Sequence, residues 1–124
     1  MIKQYEDVLA HRKLKRNAFA LTVENTIVPL LPHGKANAKN VARKLGMTRR
    51  TLARHLVSEG LTFVKMLQEL RLDLAKRDLA DTDLSITQIA WPLGYRNVSV
   101  LTHAFKRWTG MTPRAARQAA LNHA

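Results

Sequence analysis

A chain of 124 residues, 46% of them hydrophobic, suffices for one globular domain or two very small ones and excludes a large multidomain enzyme. It has no cysteine, which removes disulfides, thiolate nucleophiles and every cysteine-based zinc or iron–sulfur site; apolar packing must hold the fold, and a reducing cytoplasm is compatible with it. The formal net charge of +12 at pH 7 creates an attractive field for polyanions, of which nucleic acid is the commonest that needs a folded partner.

Apolar residues recur at helical spacing, no stretch alternates as a strand would, and the glycines at 34, 46, 60, 94 and 110 each close a segment. The expectation is an all-α fold of about seven helices. Residues 1–18 are polar and weakly patterned, an extension from an upstream linker. A first helix over 19–30 carries Phe19, Val23, Ile27 and Leu30 on one stripe. Asn37 caps a short helix to 45, and Thr48 caps the next, to about 58. Thr62 opens a long helix to about 80 with Phe63, Met66, Leu67, Leu70, Leu74 and Leu79 on its buried stripe, spanning on the order of 28 Å. Ser85 with Gln88 is a capping box for a helix to about 93, Asn97 caps a helix over 98–108, and Thr112-Pro113 opens the last, 112–121. The longest apolar runs, such as 27–31, are too short for a signal sequence or a membrane span, so a soluble, unexported protein is expected.

The charge is unevenly placed. Residues 35–58 carry seven bases (Lys35, Lys39, Arg43, Lys44, Arg49, Arg50, Arg54) and no acid, and 84–124 carry five (Arg96, Lys106, Arg107, Arg114, Arg117) and no acid. Between them, 59–83 holds six acids against four bases. Two basic lobes joined by a mildly acidic connector are unlike a uniformly basic tail or a membrane-binding amphipathic helix.

An internal repeat coincides with those lobes. Val41-Ala42-Arg43-Lys44-Leu45-Gly46-Met47 matches Ile89-Ala90-Trp91-Pro92-Leu93-Gly94-Tyr95; beyond the glycine, Thr48, Leu52 and Leu56 pair with Asn97, Leu101 and Phe105, because the second turn is one residue longer. Each copy reads as a helix-turn-helix: a small Ala lets the second helix pack close, and a Gly four residues later permits the sharp turn. The second helices leave one face free, Arg50, Ala53, Arg54 and Val57 in the first copy and Ser99, Thr102, His103 and Lys106 in the second.

The segment Asp83-Leu84-Ser85-Ile86-Thr87-Gln88-Ile89-Ala90, then Leu93-Gly94-Tyr95, then Ala104-Phe105-Lys106-Arg107-Trp108-Thr109-Gly110-Met111-Thr112-Pro113, resembles the signature of the AraC/XylS family of bacterial transcription regulators. From about residue 23 to 117 the layout resembles that family's DNA-binding domain. The resemblance implies helix-turn-helix units at 37–59 and 85–109 joined by a linker helix at 62–80, a C-terminal helix at 112–121, and both second helices in the DNA major groove. Three residues depart from the family pattern. Pro92 replaces an aliphatic residue, Leu101 stands where Phe is frequent, and Ala116 where Tyr is frequent. Pro92 disfavours helical geometry at Trp91, so the first helix of the second unit should bend or end early.

The resulting reading is sequence-specific double-stranded DNA binding as part of a bacterial regulator, cytoplasmic and nucleoid-associated, with no membrane partner. The domain runs 19–121 of a longer regulator, is monomeric in isolation, and has RNA polymerase as a possible further partner. Expected DNA-contacting residues are Thr48, Arg49, Arg50, Ala53 and Arg54 in the first unit, and Arg96, Asn97, Val98, Ser99, Thr102, His103, Lys106, Arg107 and Arg114 in and beyond the second. Arg50 and Arg54 suit bidentate recognition of guanine, whereas Lys106, Arg107 and Arg114 suit phosphates. His55 shares the side of Leu52 and Leu56 and is expected to be structural; Trp91, Phe105 and Trp108 are expected in the core. The tandem units should read two successive major-groove segments about 10 bp apart in one asymmetric site. No catalytic, cofactor or metal site is expected: the five histidines form no metal-spaced pair, and there is no phosphate loop or nucleophile elbow. The competing readings are a basic helical module without sequence preference and a protein-interaction domain charged only for solubility.

Overall fold

The computed structural model describes residues 17–122, so 1–16 of the expected N-terminal extension lie outside the described residues. These form seven α-helices and no strand: α1 (Ala18–Ile27), α2 (Ala38–Lys44), α3 (Arg49–Ser58), α4 (Phe63–Asp81), α5 (Ile86–Ala90), α6 (Val98–Thr109) and α7 (Pro113–Asn122). The chain divides between Leu70 and Arg71 into two compact bodies, each with its own core.

In the N-terminal body, Asn17 caps α1 by accepting from the Ala20 amide at 2.9 Å. The helix ends at Ile27, three residues before the expected boundary, and continues as a 3₁₀ turn over Val28–His33. Pro29 supplies the reason: it has no N–H to donate to the preceding turn. Leu31, four residues after Ile27 and eight after Val23, is fully buried, and Leu30 is only half-buried. Val23, Ile27, Val41, Leu52, Leu56, Met66 and Leu70 complete this core, and Glu24 is buried among its residues.

The C-terminal body packs Leu74, Ala75 and Leu79 of α4, Ile89 of α5, Leu93, and Leu101 and Phe105 of α6. Its α5 begins at the expected capping box, with Ser85 and Gln88 each accepting from the other's backbone N–H. The helix ends at Ala90, and Trp91–Leu93 form a 3₁₀ turn, an early end in line with the missing donor of Pro92. Trp91 itself stays right-handed helical, φ −60° and ψ −52°, so Pro92 ends the helix without expelling its predecessor from that geometry.

The expectation of three core aromatics holds only for Phe105, which is 1% exposed; Trp91 is 65% and Trp108 43% exposed. Trp108, seven residues after Leu101 and three after Phe105, shares their face but sits in the last turn of α6, one residue from its end; Trp91 lies outside in the 3₁₀ turn, where Leu93 is buried. A shallow cleft of about 240 Å³ borders Lys76, Leu79, Phe105, Met111 and Ala116.

Candidate nucleic-acid interface

Two helix-turn-helix motifs carry the expected site, α2–α3 in the N-terminal body and α5–α6 in the C-terminal body. Their turns share a backbone solution. Gly46 and Gly94 sit at φ +71° and +88°, where a side chain is strained. The next residue then donates back to the buried Ala of the preceding helix, Met47 to Ala42 at 3.0 Å and Tyr95 to Ala90 at 3.1 Å. This six-to-one bond is the Schellman closure of a helix end. Ala42 and Ala90 are 1% and 2% exposed, as close approach of the second helix requires.

The second helices are then capped and oriented by local chemistry. The Thr48 hydroxyl oxygen accepts from the Thr51 amide at 3.1 Å to open α3, and Asn97 Oδ1 accepts from the Val100 amide at 3.0 Å to open α6. Each such cap contributes about 1 kcal/mol. A phosphate oxygen only accepts, so the atom Asn97 could offer to one is its amide nitrogen.

In α3, Leu52 and Leu56 are fully buried, while Arg50, Ala53, Arg54 and Val57 are exposed. Thr48, Arg49, Arg50 and Ala53 come together along one open cleft, floored by Leu52 and Phe63 and bordered by Ala38. In α6, Leu101 and Phe105 are buried; Ser99, His103, Lys106 and Arg107 are exposed, and Val98 and Thr102 are half-buried. Arg96 is exposed in the turn before α6 and Arg114 in the first turn of α7. Lys35, Lys39, Arg43 and Lys44 are exposed as well, a basic surface around the first motif.

His55 does not enter the core. Its ring stacks on Phe19 at a centroid distance of 3.6 Å and 9° between planes, and its Nε2 lies 4.0 Å from Glu59 Oε1, which also accepts from Asn17 Nδ2 at 2.6 Å. The last turn of α3 is thereby fastened to the start of α1.

Sequence reasoning missed two supporting arginines. Arg71 donates from Nε to the Leu93 carbonyl at 2.9 Å and lies over the Tyr95 ring, 5.1 Å from its centroid. Arg117 donates to the carbonyls of Leu79 at 3.0 Å, Thr82 at 3.2 Å and Asp78 at 3.5 Å, binding the last turn of α4 and the residue just beyond it; the Asp78 carbonyl also accepts from the Thr82 amide at 3.1 Å. Their partners lie 22 and up to 39 residues away, and no local pattern distinguishes either arginine from the other charged residues of its helix.

Burial pushes the Tyr95 phenol above its ordinary value of 10.0, against the opposing pull of the Arg71 cation; burial likewise lowers Arg71. A folded pKa above the unfolded one stabilises the protein below about pH 10, and that contribution is lost as pH rises through the folded pKa. The urea midpoint should therefore fall more steeply above about pH 10 in the parent chain than in Tyr95→Phe. Parallel decline of the two would show that Tyr95 is not the group responsible.

A family model described as a helix-turn-helix domain matches residues 41–119. The transcriptional regulator VirS of Mycobacterium tuberculosis is 43% identical over 88 residues, covering 71% of this chain and 26% of that protein. The chain thus spans about a quarter of the length of the curated relatives it matches. Among solved structures, the DNA-binding domain of AdpA in complex with a target DNA superposes with a TM-score of 0.71 at 28% identity, covering 81% of this chain and 90% of that one. A DNA-binding transcriptional dual regulator from Escherichia coli K-12 gives 0.78 at 23% identity, over 86% and 96%, a likeness of fold. With the repeated motif, the signature around α5–α6 and these matches together, the chain belongs to the AraC/XylS family of helix-turn-helix transcription regulators.

Proposed function

We propose that this chain binds double-stranded DNA sequence-specifically through both helix-turn-helix motifs, as the DNA-binding part of a bacterial transcription regulator. One observation carries the reading furthest. On α3 the apolar residues Leu52 and Leu56 are fully buried, so Arg50, Ala53, Arg54 and Val57 form a solvent-facing strip on a rigid, capped helix within an acid-free basic lobe. Arg50 and Arg54 read bases in the major groove, with Ala53 between them for apolar contact, and Thr48 and Arg49 approach the backbone. In the second motif Ser99, Thr102 and His103 face the bases, while Arg96, Asn97, Val98, Lys106, Arg107 and Arg114 line the flanking phosphates.

The domain comprises 19–121, with motifs at 37–59 and 85–109. It acts alone as a monomer on a site that is one asymmetric element, because its motifs are tandem copies in one chain rather than two-fold mates. Its place is the nucleoid in the cytoplasm, with RNA polymerase as the machinery it regulates. No helix among the described residues is long and apolar enough to cross a membrane.

Selecting bound duplexes from a random pool tests the reading and returns the site. On that site Arg50→Ala or Arg54→Ala should each cost about 1 to 3 kcal/mol while hardly changing affinity for unrelated DNA. Lys106→Ala and Arg107→Ala should weaken both about equally. A pool that yields no preferred sequence would favour a module without sequence preference.

A further inference from the structure

Arg71 lies in the middle of α4, yet its side chain serves the turn of the second helix-turn-helix motif. Its Nε–H donates to the Leu93 carbonyl at 2.9 Å, and its guanidinium covers the Tyr95 ring at 5.1 Å. Leu93 and Tyr95 are the two neighbours of Gly94, so one side chain grips the turn on both sides of its glycine. Leu93 ends the 3₁₀ turn that follows α5, a place where carbonyls lose their intrahelical donors. Guanidinium combines a directional donor with a flat cationic face, and lysine has no such planar fork. Arg96, the Asn97 cap and α6 follow directly, so the turn sets where α6 begins and how it is aimed.

We propose that Arg71 is a positioning residue for the second recognition helix: by clamping the Leu93 carbonyl and the Tyr95 ring it fixes the turn from which α6 presents Ser99, Thr102 and His103. Discrimination at the second half of the DNA site then depends on a side chain that belongs to neither helix of the motif. The inference rests on the DNA-binding reading above. A site held about 1 Å too loosely loses its selectivity even when every contacting side chain is present.

The 124-residue chain carrying Arg71→Met or Arg71→Lys is titrated with the selected duplex and with versions in which either half is scrambled. In the parent chain, scrambling the second half weakens binding about tenfold or more; in both variants that penalty shrinks to within about twofold, while scrambling the first half costs what it does in the parent. A second arm needs no DNA. The Gly94 and Tyr95 amides, which donate to Trp91 and Ala90 at 3.0 and 3.1 Å, should exchange faster in both variants, while the Gly46 and Met47 amides of the first motif keep their rates. Full second-half discrimination in the variants, equal loss at both halves, or unchanged exchange at Gly94 and Tyr95 overturns the proposal. Where Arg71→Met fails to fold, Arg71→Lys decides both arms. A parent chain that prefers no duplex sinks the DNA-binding reading instead, and exchange still decides whether the clamp holds the turn.

Discussion

Raising monovalent salt from about 50 to about 200 mM is expected to weaken duplex binding on the order of 10³-fold, if about six side chains neutralise phosphates and log K falls by about 0.9 per phosphate. Exposed cations on and around the two motifs are more than enough to supply them. Arg49, Arg96, Lys106, Arg107 and Arg114 are exposed beside the ends of the recognition helices, and Lys39, Arg43 and Lys44 are exposed on the first motif. No acid occurs in 35–58 or 84–124 to neutralise them. Titration of a labelled duplex at four or five salt concentrations gives the slope directly. A flat response would remove the electrostatic argument and favour a protein-interaction domain charged for solubility. The same titration on unrelated DNA should give nearly the same slope, because phosphates carry no sequence.

Phe105→Ala is expected to destabilise the C-terminal body by about 3 to 5 kcal/mol, through lost apolar burial and the cavity left behind. Phe105 is 1% exposed and is the largest fully buried side chain among the described residues. It already borders a shallow cleft, so Leu79, Met111 and Ala116 on that side have space rather than atoms with which to refill the gap. Because Phe105 is on α6, DNA binding through the second motif should fall with stability. Trp108→Ala, on the same helix but 43% exposed, should cost markedly less. Urea denaturation followed by circular dichroism compares the two. Similar midpoints for both variants would mean that Phe105 is not the anchor of this core.

How much of this was legible in the chain depends on how local each interaction is. The caps at Asn37, Thr48, Ser85 and Asn97 stand where the sequence placed them, each accepting from the amide three residues on. The turn glycines all have positive φ. A cap or a turn is completed within three to six residues, so its partners are visible in one window. The burial of Leu52, Leu56, Leu101 and Phe105 was legible for the same reason, since helical spacing alone puts them on one face. The family signature added the long-range organisation that these windows lack.

Tertiary structure decided the rest. Trp91 and Trp108 have every compositional reason to be buried, yet Trp91 lies outside in the 3₁₀ turn at Pro92, and Trp108, on the face of Leu101 and Phe105 by spacing, stands partly exposed in the last turn of α6. On α1 and the 3₁₀ turn after it the buried face runs through Ala20, Val23, Ile27 and Leu31, while Phe19 and Leu30 are half-buried; helical spacing allows either stripe, and packing chose between them. Arg71, Arg117 and the His55–Phe19 stack join residues 22 to 39 positions apart. A pattern repeating every three or four residues encodes which face of a helix is covered, but not which side chain from a distant segment covers it. That partner is chosen only when the chain has closed on itself and one guanidinium or ring occupies the remaining space.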